Sequence, residues 1–84
     1  MTPEEVVGLV LAEFDKATAK FGAFNSGHEG YAVIAEEVDE LWDDVKANRI
    51  DAACAEAIQV AAMAIRFVVD MTHEFVPAPK EPTE

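Results

Sequence analysis

Basic residues are scarce in this chain: six lysines and arginines stand against seventeen aspartates and glutamates, for a net charge of −11. A surface with that balance repels phosphate backbones and anionic lipid, so neither a nucleic acid polymer nor a membrane is expected as a partner. Any polyanionic small molecule would have to bring or recruit cations. Cysteine is nearly absent. The one thiol, Cys54, can make no internal disulfide and no Cys/His spacing of the zinc type occurs, so a reducing cytoplasm is the expected setting. The start, "MTPEEVVGLV", is acidic where a signal peptide carries positive charge, and no apolar run looks long and uncharged enough to span a bilayer. Three of the four prolines fall in the last eight residues, "PAPKEPTE", which predicts an extended tail at 77–84 after a single domain at 1–76.

What remains is half hydrophobic and patterned for helices. Thr2-Pro3-Glu4-Glu5 places a cap, a proline at the first helical position and the second half of a capping box. Val6, Val10, Phe14, Ala17 and Phe21 then recur at three and four residue steps, predicting a helix to about Lys20 or Phe21. Ser26 and Glu29 predict a second capping box after the loop "GAFNSG". Tyr31, Ile34, Val38, Leu41, Trp42 and Val45 mark the expected buried face of the helix that follows. Asp51 is the expected cap of a third helix reaching about Val76.

That third helix is apolar over most of its circumference. Cys54, Ile58, Ala61, Ala62, Ile65, Val68 and Val69 cover one side, and Val60, Ala64, Phe67, Met71 and Phe75 extend the cover. Only Glu56, Gln59, Arg66, Asp70 and His73 form a polar stripe, with Met63 among them. Two short helices cannot hide so broad a surface, so the pattern predicts an all-α antiparallel bundle of three main helices per chain, completed by a second copy as a homodimer or homotetramer. Cys54, Trp42, Tyr31 and Met63 are expected in the packing.

The feature needing explanation is "HEGYAVIAEEVDELWDDV". Glu37 and Glu40, three residues apart, project from one side of the second helix beside Asp44, with Glu36 further round. Like charges so spaced repel, and a cation between them removes the repulsion. Glu56 and Gln59 repeat the spacing on the third helix. Antiparallel packing of the two would gather Glu37, Glu40, Glu56 and Gln59 about one point, a hard oxygen set suited to Mg²⁺ or Mn²⁺. Two plainer readings stand beside this one: the acidic run is a solvated face, and Glu56 pairs with Lys16, Lys20 or a neighbouring chain's Arg66.

"EEVDEL" followed by "EAIQVAAMAIRFVVD" resembles the all-α nucleoside triphosphate pyrophosphohydrolases, the MazG-like group that includes dimeric dUTPases and dCTPases. Their signature is E-x-x-E or E-E-x-x-E, a spacer, then E-x-x-D, on two helices that bind Mg²⁺. Glu36, Glu37 and Glu40 match the first half, and Glu56 opens the second after fifteen intervening residues. Gln59 stands where the family has Asp, which removes one charge from the site. The resemblance implies an enzyme that converts a (d)NTP to a (d)NMP and pyrophosphate, with Glu37, Glu40, Glu56 and Gln59 holding metal and Glu36 or Glu37 handling the attacking water. Lys16, Lys20, His28 and Arg66 are candidate substrate contacts, with Asn25 and His28 candidates for base or sugar. A nucleotide-binding protein that has lost turnover through Gln59, and a purely structural oligomerisation module, are the alternatives. A di-iron bundle fits poorly, because neither candidate ligand helix carries Glu-x-x-His.

Overall fold

The computed structural model describes residues 1–72, which form three helices: α1 (Pro3–Phe21), α2 (Gly27–Lys46) and α3 (Ile50–Met71). The expected extension of α3 to Val76, with His73 and Phe75, and the tail at 77–84 lie outside the described residues.

The local signals act as sequence chemistry predicts at two of three helix starts. Thr2 Oγ1 accepts from Glu5 N–H at 3.1 Å while the Glu5 carboxylate accepts from Thr2 N–H at 2.8 Å, a complete capping box with Pro3 behind it. Ser26 Oγ accepts from Glu29 N–H at 3.1 Å, but the Glu29 carboxylate turns to the backbone N–H of Asn25, one residue before the cap. The third start differs from expectation. α3 begins at Ile50 with Arg49 at the cap and no side-chain cap, and Asp51 sits inside the first turn, where its charge still faces the helix dipole favourably. Asn48, with φ of 60°, makes the left-handed step of the short 47–49 turn, and Arg49 clamps that turn through Asp44 at 3.0 Å.

α3 is the central element. α1 and α2 each pack against it, and their backbones stay apart, with no Cα atoms of the two helices within 8 Å among the described residues. Glu13 of α1 meets Gln59, and Gly22 just past α1 meets Arg66, so α1 runs parallel to α3. Gly30 lies against Phe67, and Glu40 lies near Glu56, so α2 runs antiparallel to it. The core is small: Val10, Phe24, Ala62 and Met63 are buried, with Phe14, Val33, Ile34, Ile58 and Phe67 partly buried around them.

The orientation of α3 departs from one sequence expectation, the packing of Cys54. Its polar stripe faces inward: Arg66 is 3% exposed and Met63 buried, while Glu56, Gln59 and Asp70 are half-buried. The apolar side carrying Cys54, Ala57, Ala64, Val68 and Val69 faces out, and the Cys54 thiol is exposed rather than packed. α2 is displaced in the same sense. It presents Gly30, Val33, Ile34, Glu37 and Leu41 inward, leaving Tyr31 at 69% and Trp42 at 56% exposure, with Val38 and Val45 also exposed. Period fixes the width of an apolar stripe but not which part of it a helix of the same chain covers. Val60 and Phe67, by contrast, are half-buried within this one chain.

A second expectation also changes. α3 is long and apolar enough to cross a membrane by length and composition, with mean hydropathy 1.7 over its best window. Glu56 and Arg66, the charged residues in the middle of the helix, both lie on the inward face, so they do not interrupt the outer one. Only 22% of that window is buried inside the chain, so α1 and α2 leave most of the outer face uncovered.

Gly30 permits the close approach of α2 and α3. A Cβ there would stand 2.6 Å from Cδ2 of Phe67 and 3.1 Å from Cδ2 of Phe24, both ring atoms of packed side chains. Although alanine is the better helix former, Gly30→Ala is expected to destabilise the chain by about 1–3 kcal/mol through overpacking. Urea denaturation measures it, and an unchanged or raised midpoint would show that the rings move aside.

Candidate metal centre

Side chains of α1 and α2 close over the inward stripe of α3, burying Ala62, Met63 and Arg66. At one end Glu37 and Glu40 of α2 meet Glu56 of α3. One carboxylate oxygen from each lies within 4.8 Å of the others. The i, i+3 step on α2 aims the first two at the seam, and the antiparallel run of α3 supplies the third.

The electrostatics of this cluster are unfavourable as it stands. The Glu37 carboxyl is pushed up from 4.5 to about 7, first by loss of hydration at the seam, then by the neighbouring Glu56 carboxyl and the charges of Glu40 and Glu36. Glu40 is raised for the same reasons, partial desolvation leading and the charges of Glu56 and Glu36 following. Glu56 Oε1 is itself buried and meets no donor while Glu37 and Glu40 are ionised; a proton on either would be shared with the Glu56 carboxylate. An orphaned buried carboxylate oxygen costs free energy unless a donor or a cation meets it. No Lys or Arg lies within 4.0 Å of any of the three, so the plainer pairing of Glu56 with Lys16, Lys20 or this chain's own Arg66 does not occur among the described residues. Three converging carboxylates, one of which also carries a buried unpartnered oxygen, fit a divalent cation of the Mg²⁺ or Mn²⁺ type.

Gln59 does not join them. Its Nε2 donates to Glu13 Oε1 at 2.7 Å, so its side chain is engaged with α1. Glu13 is the residue that sequence reasoning missed. Its carboxyl is held below 4.5, first by the Gln59 amide and then by Lys16 at 3.2 Å. The signal was present: 6, 10, 13 and 17 step by four, three and four, which puts Glu13 on the inward stripe of α1. Asp44, expected on the same acidic ridge as Glu37 and Glu40, is occupied by Arg49.

The other candidates fall elsewhere. Arg66 sits two turns further along the stripe from Gln59, stacked 4.3 Å from the centre of the Phe24 ring and bonded to the Gly22 carbonyl. Glu36 is exposed and lines the cleft beside Arg66 instead of joining the cluster. Lys16 is spent on Glu13, and Lys20 lies over Phe21 at 5.1 Å. His28 lines a shallow hollow with Tyr31 and Phe67. Asn25 is bonded to Glu29 at the start of α2. The structure therefore brings together Glu37, Glu40 and Glu56, sets Glu36 and Arg66 in an adjoining cleft, and leaves Lys16, Lys20 and His28 outside both.

No protein-family model matches the chain, and no curated protein or solved structure matches it. What the fold and site define is a three-helix chain with a tri-carboxylate cluster on its α2–α3 seam.

Proposed function

We propose that the chain is a Mg²⁺-dependent nucleoside triphosphate pyrophosphohydrolase, converting a (d)NTP to a (d)NMP and pyrophosphate. The observation that carries this reading is the convergence of Glu37, Glu40 and Glu56, together with the buried, unpartnered Oε1 of Glu56. It is supported by the resemblance of "EEVDEL" and "EAIQV" to the pyrophosphohydrolase signature. These three carboxylates would hold the metal. A divalent ion there neutralises a polyphosphate that a chain of net charge −11 would otherwise repel, and lowers the pKa of the attacking water. The remaining oxygens of the cluster accept hydrogen bonds from that water and so orient it toward phosphorus.

The test is pyrophosphate release from a panel of ribo- and deoxynucleoside triphosphates with Mg²⁺ or Mn²⁺, against EDTA. Metal-dependent release of monophosphate and pyrophosphate from one or more of them is expected. The engagement of Gln59 by Glu13 favours one other reading, a protein that binds nucleotide without cutting it. Silence across the panel, together with thermal stabilisation by Mg²⁺ and a nucleotide, would establish that reading instead.

The proposal extends to a second copy of the chain. Tyr31, Val38, Trp42 and Val45 of α2 and Val68 of α3 are large, exposed and uncharged, and they flank the seam. Isologous pairing through them covers the outer face of α3. Sedimentation is expected to give a dimer or tetramer at micromolar concentration, with Trp42→Glu shifting it toward monomer. A well-behaved wild-type monomer, or a chain that pellets with lipid vesicles, would contradict this.

A further inference from the structure

Buried cations are normally paired, and Arg66 is not: at 3% exposure, it has no carboxylate within 4.0 Å among the described residues. It is held instead by the Phe24 ring, the Gly22 carbonyl and the Met63 sulfur at 3.5 Å. Those partners engage two of the five N–H groups of a guanidinium, which leaves donors unspent. The guanidinium floors a cleft of about 320 Å³ whose walls are Phe21, Phe24 and Val33 and whose lip carries Glu29 and Glu36.

The chemistry of that lining is selective. A phosphate would meet Arg66 but would also face two carboxylates, of which only Glu29 is already engaged, by Asn25. A flat uncharged ring avoids that repulsion and can stack on Phe21, the exposed aromatic ring of the lining, since Phe24 is buried beneath Arg66. Arg66 offers donors only, so the ring must turn acceptors to the floor. Glu36 offers acceptors only, so the ring must turn N–H donors to the lip. Guanine has this arrangement, with O6 and N7 on the edge that arginine reads and N–H groups on the adjacent edge. The cleft volume is at the lower end of the range for small-molecule sites, the size for a nucleoside and not for its whole polyphosphate. Position agrees as well: Glu36, on the lip, is the sequence neighbour of Glu37 in the carboxylate cluster.

We infer that the Arg66 cleft is a nucleobase subsite that takes guanine, with Arg66 on the floor, Glu36 at the lip and Phe21 against the ring. The inference rests on the proposed nucleotide chemistry for its biological sense, but its test needs neither metal nor turnover. Guanosine, which has no phosphate, is titrated into the full chain in EDTA while the amide resonances of Phe24 and Val33 are followed by NMR. Saturable shifts are expected, with guanosine binding at least tenfold more tightly than adenosine, cytidine or uridine. Arg66→Lys should weaken guanosine at least tenfold. Since that variant alters a buried group, Ala23→Trp at the exposed rim serves as the second: it should block guanosine with helicity unchanged.

Three outcomes would overturn the inference: inorganic phosphate or pyrophosphate moving these amides while guanosine does not, four nucleosides binding alike, or no nucleoside response from the folded chain. Guanosine binding without pyrophosphate release from any triphosphate would keep the subsite and remove the hydrolase reading. Release without nucleoside binding would do the reverse.

Discussion

Glu56→Gln is expected to cut metal-dependent pyrophosphate release by about 10²–10³-fold while making the metal-free chain more stable. Both effects come from one atom set. In the wild type Glu56 brings a third carboxylate to within 4.8 Å of Glu37 and Glu40, and its Oε1 is buried without a partner. An amide at that position removes a charge and supplies N–H donors to the two glutamates of α2, relieving repulsion and satisfying buried groups together. The same change removes a charged ligand from a site whose task is to stabilise charge developing at phosphorus, and loss of one such group typically costs this much in rate. Glu37→Gln should behave alike, with a stability gain of about 1 kcal/mol, ~4–8 °C in Tm for a chain this size; the figure is discounted because the carboxyl keeps part of its hydration. A cluster that was only surface would also stabilise on neutralisation, but it would show no loss of turnover. Loss of both stability and turnover would mean that Glu56 is a structural partner in the seam.

Lowering the pH from about 7 toward 4.5 is expected to stabilise the metal-free chain. Glu37 titrates near 7 in the folded state and near its ordinary value of 4.5 when unfolded. Between those values the folded state binds the extra proton, so this carboxyl destabilises the fold progressively as pH rises through the window and by a constant amount above it. Glu13 acts in the opposite sense and outside the window. Its carboxyl is held below 4.5 by Gln59 and Lys16, so its contribution is present above 4.5 and lost as pH falls below. Thermal melts in EDTA should therefore give a Tm that rises from pH 8 to about 5, a slope that Glu37→Gln flattens. Adding Mg²⁺ at pH 8 should recover the stability that deprotonation removes, because a cation in the cluster favours the ionised form. A Tm independent of pH over this range, or equally sloped in Glu37→Gln, would place the repulsion elsewhere on a chain of net charge −11.

Much of this arrangement is legible in the sequence, for local reasons. Capping chemistry at Thr2 and Ser26 marks two helix starts because those side chains bond to N–H groups three residues on. The i, i+3 spacing puts Glu37 and Glu40 on one side of α2, and a short α2–α3 turn forces the antiparallel run that brings Glu56 to them. What a local signal cannot carry is rotation about the helix axis. α3 buries Ala62 and half-buries Ile58, Ala61 and Ile65, and it also turns Glu56, Gln59, Met63 and Arg66 toward its neighbours. Groups on α1 and in the 22–26 loop meet this stripe: Glu13 takes Gln59, the Gly22 carbonyl and Phe24 take Arg66, and Asp70 takes Phe24 N–H at 2.8 Å. Each of the Glu13, Gly22 and Phe24 pairs spans more than forty residues. Spacing and the family resemblance both point Gln59 at the cluster, but neither carries the bond of its amide nitrogen to Glu13 on another helix. Tyr31 and Trp42 were assigned to the core by an apolar stripe wider than one neighbouring helix can cover.

The central claim is that Glu56 of α3, with Glu37 and Glu40 of α2, forms a divalent cation site. The most direct measurement is substoichiometric Mn²⁺ titration followed by paramagnetic broadening of amide resonances. The account predicts selective loss of signal around Glu37, Glu40 and Glu56 at a few per cent of one equivalent, displaced by excess Mg²⁺ and abolished in Glu56→Gln. Broadening spread evenly over Asp39, Asp43 and Asp51 and the other exposed acids, unchanged by Glu56→Gln, would contradict it.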